Sequence, residues 1–371
     1  MRSSFGILIA GGGTGGHVFP ALALARELSR RRPEEPVIFV GTRAGLEADL
    51  VPRAGYPLDF VRARGIVGKG PAARIAGIAA LAPAVLDSWR ILSRRVPRAV
   101  VGLGGYASGP VVATAWLRRV PTVVHEANAV PGVTNRLLAR VATRVGVGTQ
   151  AAAGALPGAV VTGNPVREAF FRIPSLASRP SGRRMRVLVV GGSQGAQVLN
   201  RLVPDALAAA ASRGIVLTVV HQAGAARRGL GHDAPDLELR YERLDLGPAS
   251  VREFLDDIEA EYAAADLVVS RSGAMTSAEI AAAGRPAILV PFAGATHGHQ
   301  EANARVLERA GAAVVVTEAE ATVPRLADVL VGLLADPAKL LAMGEAARRA
   351  AVPDAASRLA DLVDGAARRV A

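Results

Sequence analysis

The sequence predicts an α/β protein built from two Rossmann-like parallel-sheet domains with facing phosphate-binding ends. Three observations carry that prediction. An apolar run, Phe5 to Ala10, leads through Gly11-Gly12-Gly13-Thr14-Gly15-Gly16-His17 into a helical pattern over Phe19 to Leu28. The same order recurs at Val187 to Val190, Gly191-Gly192-Ser193-Gln194-Gly195-Ala196 and a helix from Gln197 to Ala210. Around these two units, apolar segments alternate with helical ones through 371 residues, a length suited to two domains.

Each strand–glycine–helix turn aims backbone N–H groups and a helix N-terminus at one point, which favours an anion. The spacing is not the GxGxxG of dinucleotide binders. Pro20 is placed in the first helical turn, where a missing N–H costs nothing. Apolar runs predict first-half strands at 5–10, 37–40, 58–62, 99–102, 121–125 and 144–147. Helices are expected at 19–31, 45–54, 73–95, 108–118 and 132–141. Second-half strands are expected at 186–190, 216–221, 237–241, 267–270, 287–290 and 313–316. Its helices fall at 196–210, 258–264, 275–283, 300–310, 323–334, 338–350 and 354–369. Gly163-Asn164-Pro165 marks the change of domain, giving 1–163 and 164–371, and Ile173 to Arg184 reads as a linker. The last helix is expected to pack back on the N-terminal domain.

Half of the residues are hydrophobic and the mean hydropathy is +0.29, so burial is ample. The absence of cysteine excludes disulfides, zinc–thiolate sites and thiol nucleophiles. Met1 to Phe5 run straight into the first strand, which does not read as a signal peptide, and no apolar run is long enough to span a membrane. Residues 1–163 hold 20 Lys and Arg against 8 Asp and Glu, and residues 164–371 hold 24 of each, so the whole net charge of +12 lies in the first half. That half is expected to meet an anion: nucleic acid, phospholipid or a phosphorylated substrate. A stripe of Ile75, Ile78, Leu81, Val85, Trp89 and Leu92, behind Arg62, Arg64, Lys69 and Arg74, reads equally as a core-facing helix or a membrane-surface one.

Carboxyl ends of parallel strands gather ligands, and several here are unusual. The fourth strand leads into Gly104-Gly105-Tyr106-Ala107-Ser108-Gly109-Pro110. The fifth ends at His125-Glu126-Ala127-Asn128 and continues to Asn135. Two glycine turns beside such polar groups suit a diphosphate and a hydroxylated group. His17, where a helix begins, is a general base or a structural histidine with equal weight, and Glu126 is the next candidate base. In the second half, Arg271 to Glu279 follows a strand and opens a helix. Thr276 and Glu279 have the spacing of a capping box. Alternatively, Glu279 accepts both hydroxyls of a ribose. His297, His299, Gln300 and Asn303 suit sugar hydroxyls; with no carboxylate in that loop and no Asp-x-Asp pair, no metal site is expected.

GGGTGGHVFPALALA, GGYASGP, HEANAVPGVTN, GNPVR, GGSQGAQVLN, the FLDDI to VPF line and HQEANA, in that order, resemble the bacterial lipid II-forming N-acetylglucosaminyltransferases, and the likeness covers nearly the whole chain. The resemblance implies GT-B architecture, two Rossmann-like domains facing a central cleft. It implies inverting transfer of N-acetylglucosamine from UDP to the C4 hydroxyl of the muramoyl sugar of lipid I, for peptidoglycan synthesis. It implies donor contacts at Thr14, Gly15, Gly16, Asn128, Arg167, Ser193, Leu255, Ala274, Met275, Thr276, Ser277, Ala278, Glu279 and Gln300. Acceptor contacts are implied at Gly13, Gly104, Gly105, Tyr106, Ser108 and Asn135, with His17 the favoured base. UDP-N-acetylglucosamine is the implied donor, with no tightly bound cofactor. Lipid I and an anionic membrane surface are the implied partners, at the cytoplasmic face of the cell membrane, and other cell-wall synthesis proteins are admissible ones. The Gln-Gln pair of one branch of the family is His299-Gln300 here, which leaves the role of His299 open, not that of Gln300. The alternatives are another enzyme of the same fold acting on UDP-N-acetylglucosamine, such as a 2-epimerase, and a basic nucleic-acid-binding module. The first fails to use the basic half; the second lacks aromatics for base stacking, at 4% of the chain.

Overall fold

The structure is a computed structural model that describes residues 6–63, 81–180, 184–192, 195–224, 234–246 and 248–368. The chain divides into two compact units, residues 1–167 with 352–371, and residues 168–351. The first unit holds strands β1 (Ile7–Ala10), β2 (Val37–Gly41), β3 (Leu58–Phe60), β4 (Ala99–Gly102), β5 (Thr122–Glu126), β6 (Arg144–Val147) and β7 (Ala159–Val161). They pair in parallel in the order β3-β2-β1-β4-β5-β6-β7, with Ala10 opposite both Val40 and Gly102. The order reverses between β1 and β4, so the crevice where ligands collect opens at the carboxyl ends of those two strands. Strands β1, β2, β4 and β5 are buried along their whole length, which is why their sequences are continuous apolar runs rather than alternating ones.

The second unit repeats the scheme with β8 (Met185–Val190), β9 (Leu217–Gln222), β10 (Ala249–Arg252), β11 (Leu267–Ser270), β12 (Ala287–Leu289) and β13 (Ala313–Val315), in the order β10-β9-β8-β11-β12-β13. One predicted strand is corrected. Residues 237–241 lie in the helix Ala234–Arg243, and the strand is β10, further on. Leu237, Leu239 and Tyr241 alternate like a strand, but Leu237 and Tyr241 are buried while Leu239 is exposed, the i, i+4 face of a helix. Strand β7 was not expected; it is three residues long at a sheet edge and half exposed, too weak a pattern to read.

Helix starts also move. The first runs Gly15–Arg31, so Pro20 sits inside it and not in its first turn. Another runs Gly105–Leu117, beginning three residues before the expected 108. The helix Ala82–Arg95 buries Ala84, Ser88, Ile91 and Leu92, whereas Leu86 and Trp89 face outward; of the expected stripe, Leu92 is core and Trp89 is surface. Ile75, Ile78, Arg64, Lys69 and Arg74 lie outside the described residues. The last helix, Ala355–Ala367, belongs to the first unit, where Leu359, Ala360, Val363 and Ala366 join the core of β1, β2 and β4. Arg31 to Asp361 (2.7 Å) and Arg98 to the buried Asp364 (2.9 Å) tie it to the rest of the unit. Among the described residues, no helix is long and apolar enough to cross a membrane.

Candidate functional site

The carboxyl ends of β1, β4 and β5 bring together most of the first-half residues singled out by sequence. His17 stands in the first turn of the helix Gly15–Arg31, half-buried, with its Nδ1 3.4 Å from the Thr14 hydroxyl. Its ring lies against the second glycine turn. A Cβ at Gly104 would come within 2.6 Å of the imidazole, and Gly104 has φ of +100°, a conformation that glycine adopts without strain. Burial holds the His17 pKa below 6.5, opposed by the Glu126 and Glu47 carboxylates and a hydrogen bond to the Gly12 backbone. The imidazole is therefore neutral at pH 7, the form that can take a proton.

Glu126, at the end of β5, is 3% exposed and accepts four hydrogen bonds: from the Asn128 backbone (2.9 Å) and side chain (3.0 Å), the Gly132 N–H (3.0 Å) and the Asn135 side chain (2.9 Å). Such a carboxylate holds the loop 128–135 in shape. Asn135 is itself buried, with its amide also directed at the His125 carbonyl. His125 is buried, bonded to the Gly163 carbonyl (3.0 Å), and its pKa is lowered by burial. Tyr106 is exposed on the second turn, whereas Ser108 is fully buried with its hydroxyl unpaired and packed against Gly102. The Gly13 N–H does not face open space; it donates to the Glu47 carboxylate. Arg167 closes the first unit with its guanidinium 4.8 Å over the Phe19 ring.

In the second unit the helix Ala274–Ala283 starts directly after the β11 loop, with Gly273 as its N-cap and no side-chain cap. The first intrahelical bond runs from the Ser277 N–H to the Gly273 carbonyl (2.9 Å), so the N–H groups of Ala274, Met275 and Thr276 make up the unbonded first turn. Thr276 is thus inside the helix and cannot be the N-cap that a capping box requires. Glu279 lies one turn on and is buried, as is Ser277, whose hydroxyl is unpaired. Arg271 bonds the Val290 carbonyl (3.0 Å), pairs with Glu318 and stacks on Phe292. Gln300 accepts from the Phe292 N–H (3.0 Å) and its own carbonyl accepts from Ser272 (2.8 Å), tying the β12 loop to the β11 loop. His299 is half-buried and bonded to the Thr296 carbonyl (2.8 Å). Leu255 is buried after β10. Ser193 lies outside the described residues.

Sequence reading missed two groups. One is Glu47. The other is a buried chain beside the β8 turn: the Asn200 amide donates to the Ala223 carbonyl (3.0 Å), its oxygen meets His221 Nε2 (3.1 Å), and His221 Nδ1 meets the Tyr241 hydroxyl (2.8 Å). Because the Asn200 oxygen only accepts, Nε2 carries the ring proton and Nδ1 accepts from Tyr241. Burial drives His221 down to about 3 and raises Tyr241, so the chain is uncharged. Each group takes at least one partner far off in sequence, Gly13 for Glu47, and no local spacing marks it. Among the described residues no three His, Asp or Glu side chains gather as metal ligands.

Residues 7–147 match the glycosyltransferase family 28 N-terminal domain and residues 186–359 its C-terminal domain. The chain is 45% identical to a protein of Anaeromyxobacter sp. strain K over 96% of this chain and 91% of that one. It is 46% identical to one of Alkalilimnicola ehrlichii over 95% and 97%. Both are named UDP-N-acetylglucosamine–N-acetylmuramyl-(pentapeptide) pyrophosphoryl-undecaprenol N-acetylglucosamine transferase. The crystal structure of MurG from Acinetobacter baumannii superposes with a TM-score of 0.77 at 29% identity, covering 98% of this chain and 99% of that one.

Proposed function

This chain belongs to glycosyltransferase family 28, and we propose that it transfers N-acetylglucosamine from UDP-N-acetylglucosamine to the C4 hydroxyl of the muramoyl sugar of lipid I, forming lipid II with inversion. The observation that carries this reading is the near full-length identity, 45% over 96% of the chain, to transferases named for that donor and acceptor.

The geometry and the family likeness together support the following roles. The first unit takes the acceptor. Neutral His17 accepts the proton of the attacking hydroxyl, with Thr14 and the Gly104-Gly105 turn setting its ring. Glu126 holds Asn128 and Asn135 in place and so shapes the loop beside it. Gly15, Gly16, Tyr106 and Ser108 line the same strand ends. The second unit takes the donor. UDP departs into the unbonded first turn of the helix Ala274–Ala283, Glu279 accepts the ribose diol, and Gln300 meets the sugar. Leu255 and Ser193 complete the nucleotide contacts of the second unit.

We place the protein at the cytoplasmic face of the membrane. Leu86, Trp89, Trp116 and Leu117 are exposed on two packed helices of the first unit, and Arg118 stacks on Trp89 at 4.9 Å. Apolar surface edged by arginine suits an anionic bilayer. Arg62, one of the basic residues singled out ahead of the helix Ala82–Arg95, pairs with Asp87 (2.8 Å). Incubation with radiolabelled UDP-N-acetylglucosamine and a lipid I analogue should move label into the organic phase. Label released only as free sugar, or not moved, rejects the reaction.

A further inference from the structure

We propose that Glu47 is a positioning residue for this transfer: its buried carboxylate is a built-in anion that fixes the β1 turn and, through it, the imidazole of His17. The inference rests on the reading of His17 as the acceptor's base. Glu47 opens the helix Glu47–Arg53 but makes no cap for it. Its side chain instead reaches back across the sheet end, accepting from the Thr42 N–H (2.7 Å), the Thr42 hydroxyl (2.9 Å) and the Gly13 N–H (2.6 Å). Only 1% of Glu47 is exposed. A Cβ at Gly12, Gly41 or Gly45 would each overlap this side chain, so three glycines on two segments, the β1 turn and the end of β2 with its loop, leave a chamber the size of one carboxylate. Three donors converge on this buried carboxylate and satisfy it with hydrogen bonds from within the protein.

Two consequences set this apart from a carboxylate that only stabilises a loop. First, the Gly13 N–H is already matched to an anion within the protein, so it is not available to an acceptor phosphate. Acceptor anion binding then falls to the Gly104-Gly105 turn and the Gly15-Gly16 helix start. Second, Glu47 lies in the electrostatic field of His17. The groups facing that imidazole are the Glu126 and Glu47 carboxylates, the Gly12 backbone and the Thr14 hydroxyl. The two carboxylates oppose burial and keep the ring basic enough to accept a proton.

The test uses Glu47→Gln, which preserves volume and removes the charge. Losing a hydrogen bond to a charged acceptor should lower kcat about ten- to a hundredfold and speed exchange of the Gly13 amide by a similar factor. UDP affinity and second-unit exchange should not change. The acidic limb of the pH–kcat/KM profile should move to lower pH, because a negative charge near His17 is gone. If the Gly13 amide exchanges at the wild-type rate and the limb stays where it was, the proposal is overturned. Should Glu47→Gln fail to fold, Thr42→Val removes one donor at constant size. It should speed Gly13 exchange severalfold, and Thr42→Ser should restore it; Thr42→Val indistinguishable from wild type also overturns the proposal. The Gly13 amide reports on Glu47 whatever base the enzyme uses, so its result stands apart from the assignment of His17.

Discussion

The turn after β1 and the turn after β8 occupy the same place in the same topology, yet they are braced in opposite ways. The first is closed by a charged group, the Glu47 carboxylate, and carries a histidine that can take a proton. The second is flanked by a neutral buried chain, Asn200, His221 and Tyr241, with the Arg240 guanidinium 3.4 Å from the Asn200 carbonyl. The contrast matches the tasks proposed for the two units. Activating a hydroxyl needs a base whose proton affinity is supported by nearby negative charge. Receiving a departing diphosphate needs N–H groups not already matched to an anion.

The sharpest way to break this division is His17→Ala. Turnover should fall by about a hundred- to ten-thousand-fold, the range for removing a positioned proton acceptor, while UDP affinity stays at the wild-type value. A comparable loss of UDP binding, measured by calorimetry, would mean that the two units do not divide the work. Glu279→Ala should give the converse result. UDP affinity should fall about ten- to a hundredfold, from lost hydrogen bonds to a charged acceptor, with little change in melting temperature. A large drop in melting temperature with intact UDP binding would make Glu279 structural.

The neutral chain makes its own prediction. At pH 7 His221 is uncharged in both folded and unfolded chains. Below pH 6.5 the unfolded chain takes up a proton that the folded imidazole refuses until about 3. Stability of the second unit should therefore fall with pH across that window, by about 1.4 kcal/mol per pH unit and about 2 kcal/mol by pH 5. His221→Gln should flatten the slope, as followed by exchange of the β9 amides; an equal slope in the variant would place the titration elsewhere. The smallest expected effect concerns the membrane. Arg118→Gln should weaken sedimentation with anionic vesicles by about 1 kcal/mol, roughly fivefold at low salt, and added salt should mimic it. Unchanged sedimentation would put the membrane face elsewhere.

The sheets were legible because their central strands are buried on both faces and therefore read as unbroken apolar runs. What was illegible lies at edges or depends on distant partners. β7 and β10 are short and partly exposed. The helix over 237–241 passed for a strand because the exposed Leu239 completed an alternation. Thr276 and Glu279 satisfied a capping pattern that the helix, starting two residues earlier, does not use. His17 could be found because it adjoins the glycines it works with. Glu47 could not, since Gly12, Gly41, Thr42 and Gly45 define its role only once β1 and β2 lie side by side.

The proton assigned to His17 is the centre of the account, and the pH–kcat/KM profile of wild type beside His17→Asn tests it most directly. An amide can donate the hydrogen bonds of an imidazole but cannot accept the acceptor's proton. The wild-type profile should have an acidic limb below pH 6.5, reflecting the lowered pKa of His17, and His17→Asn should lose both most of its turnover and that limb. An active His17→Asn enzyme with an unaltered acidic limb would contradict the account and move the base elsewhere in the first unit.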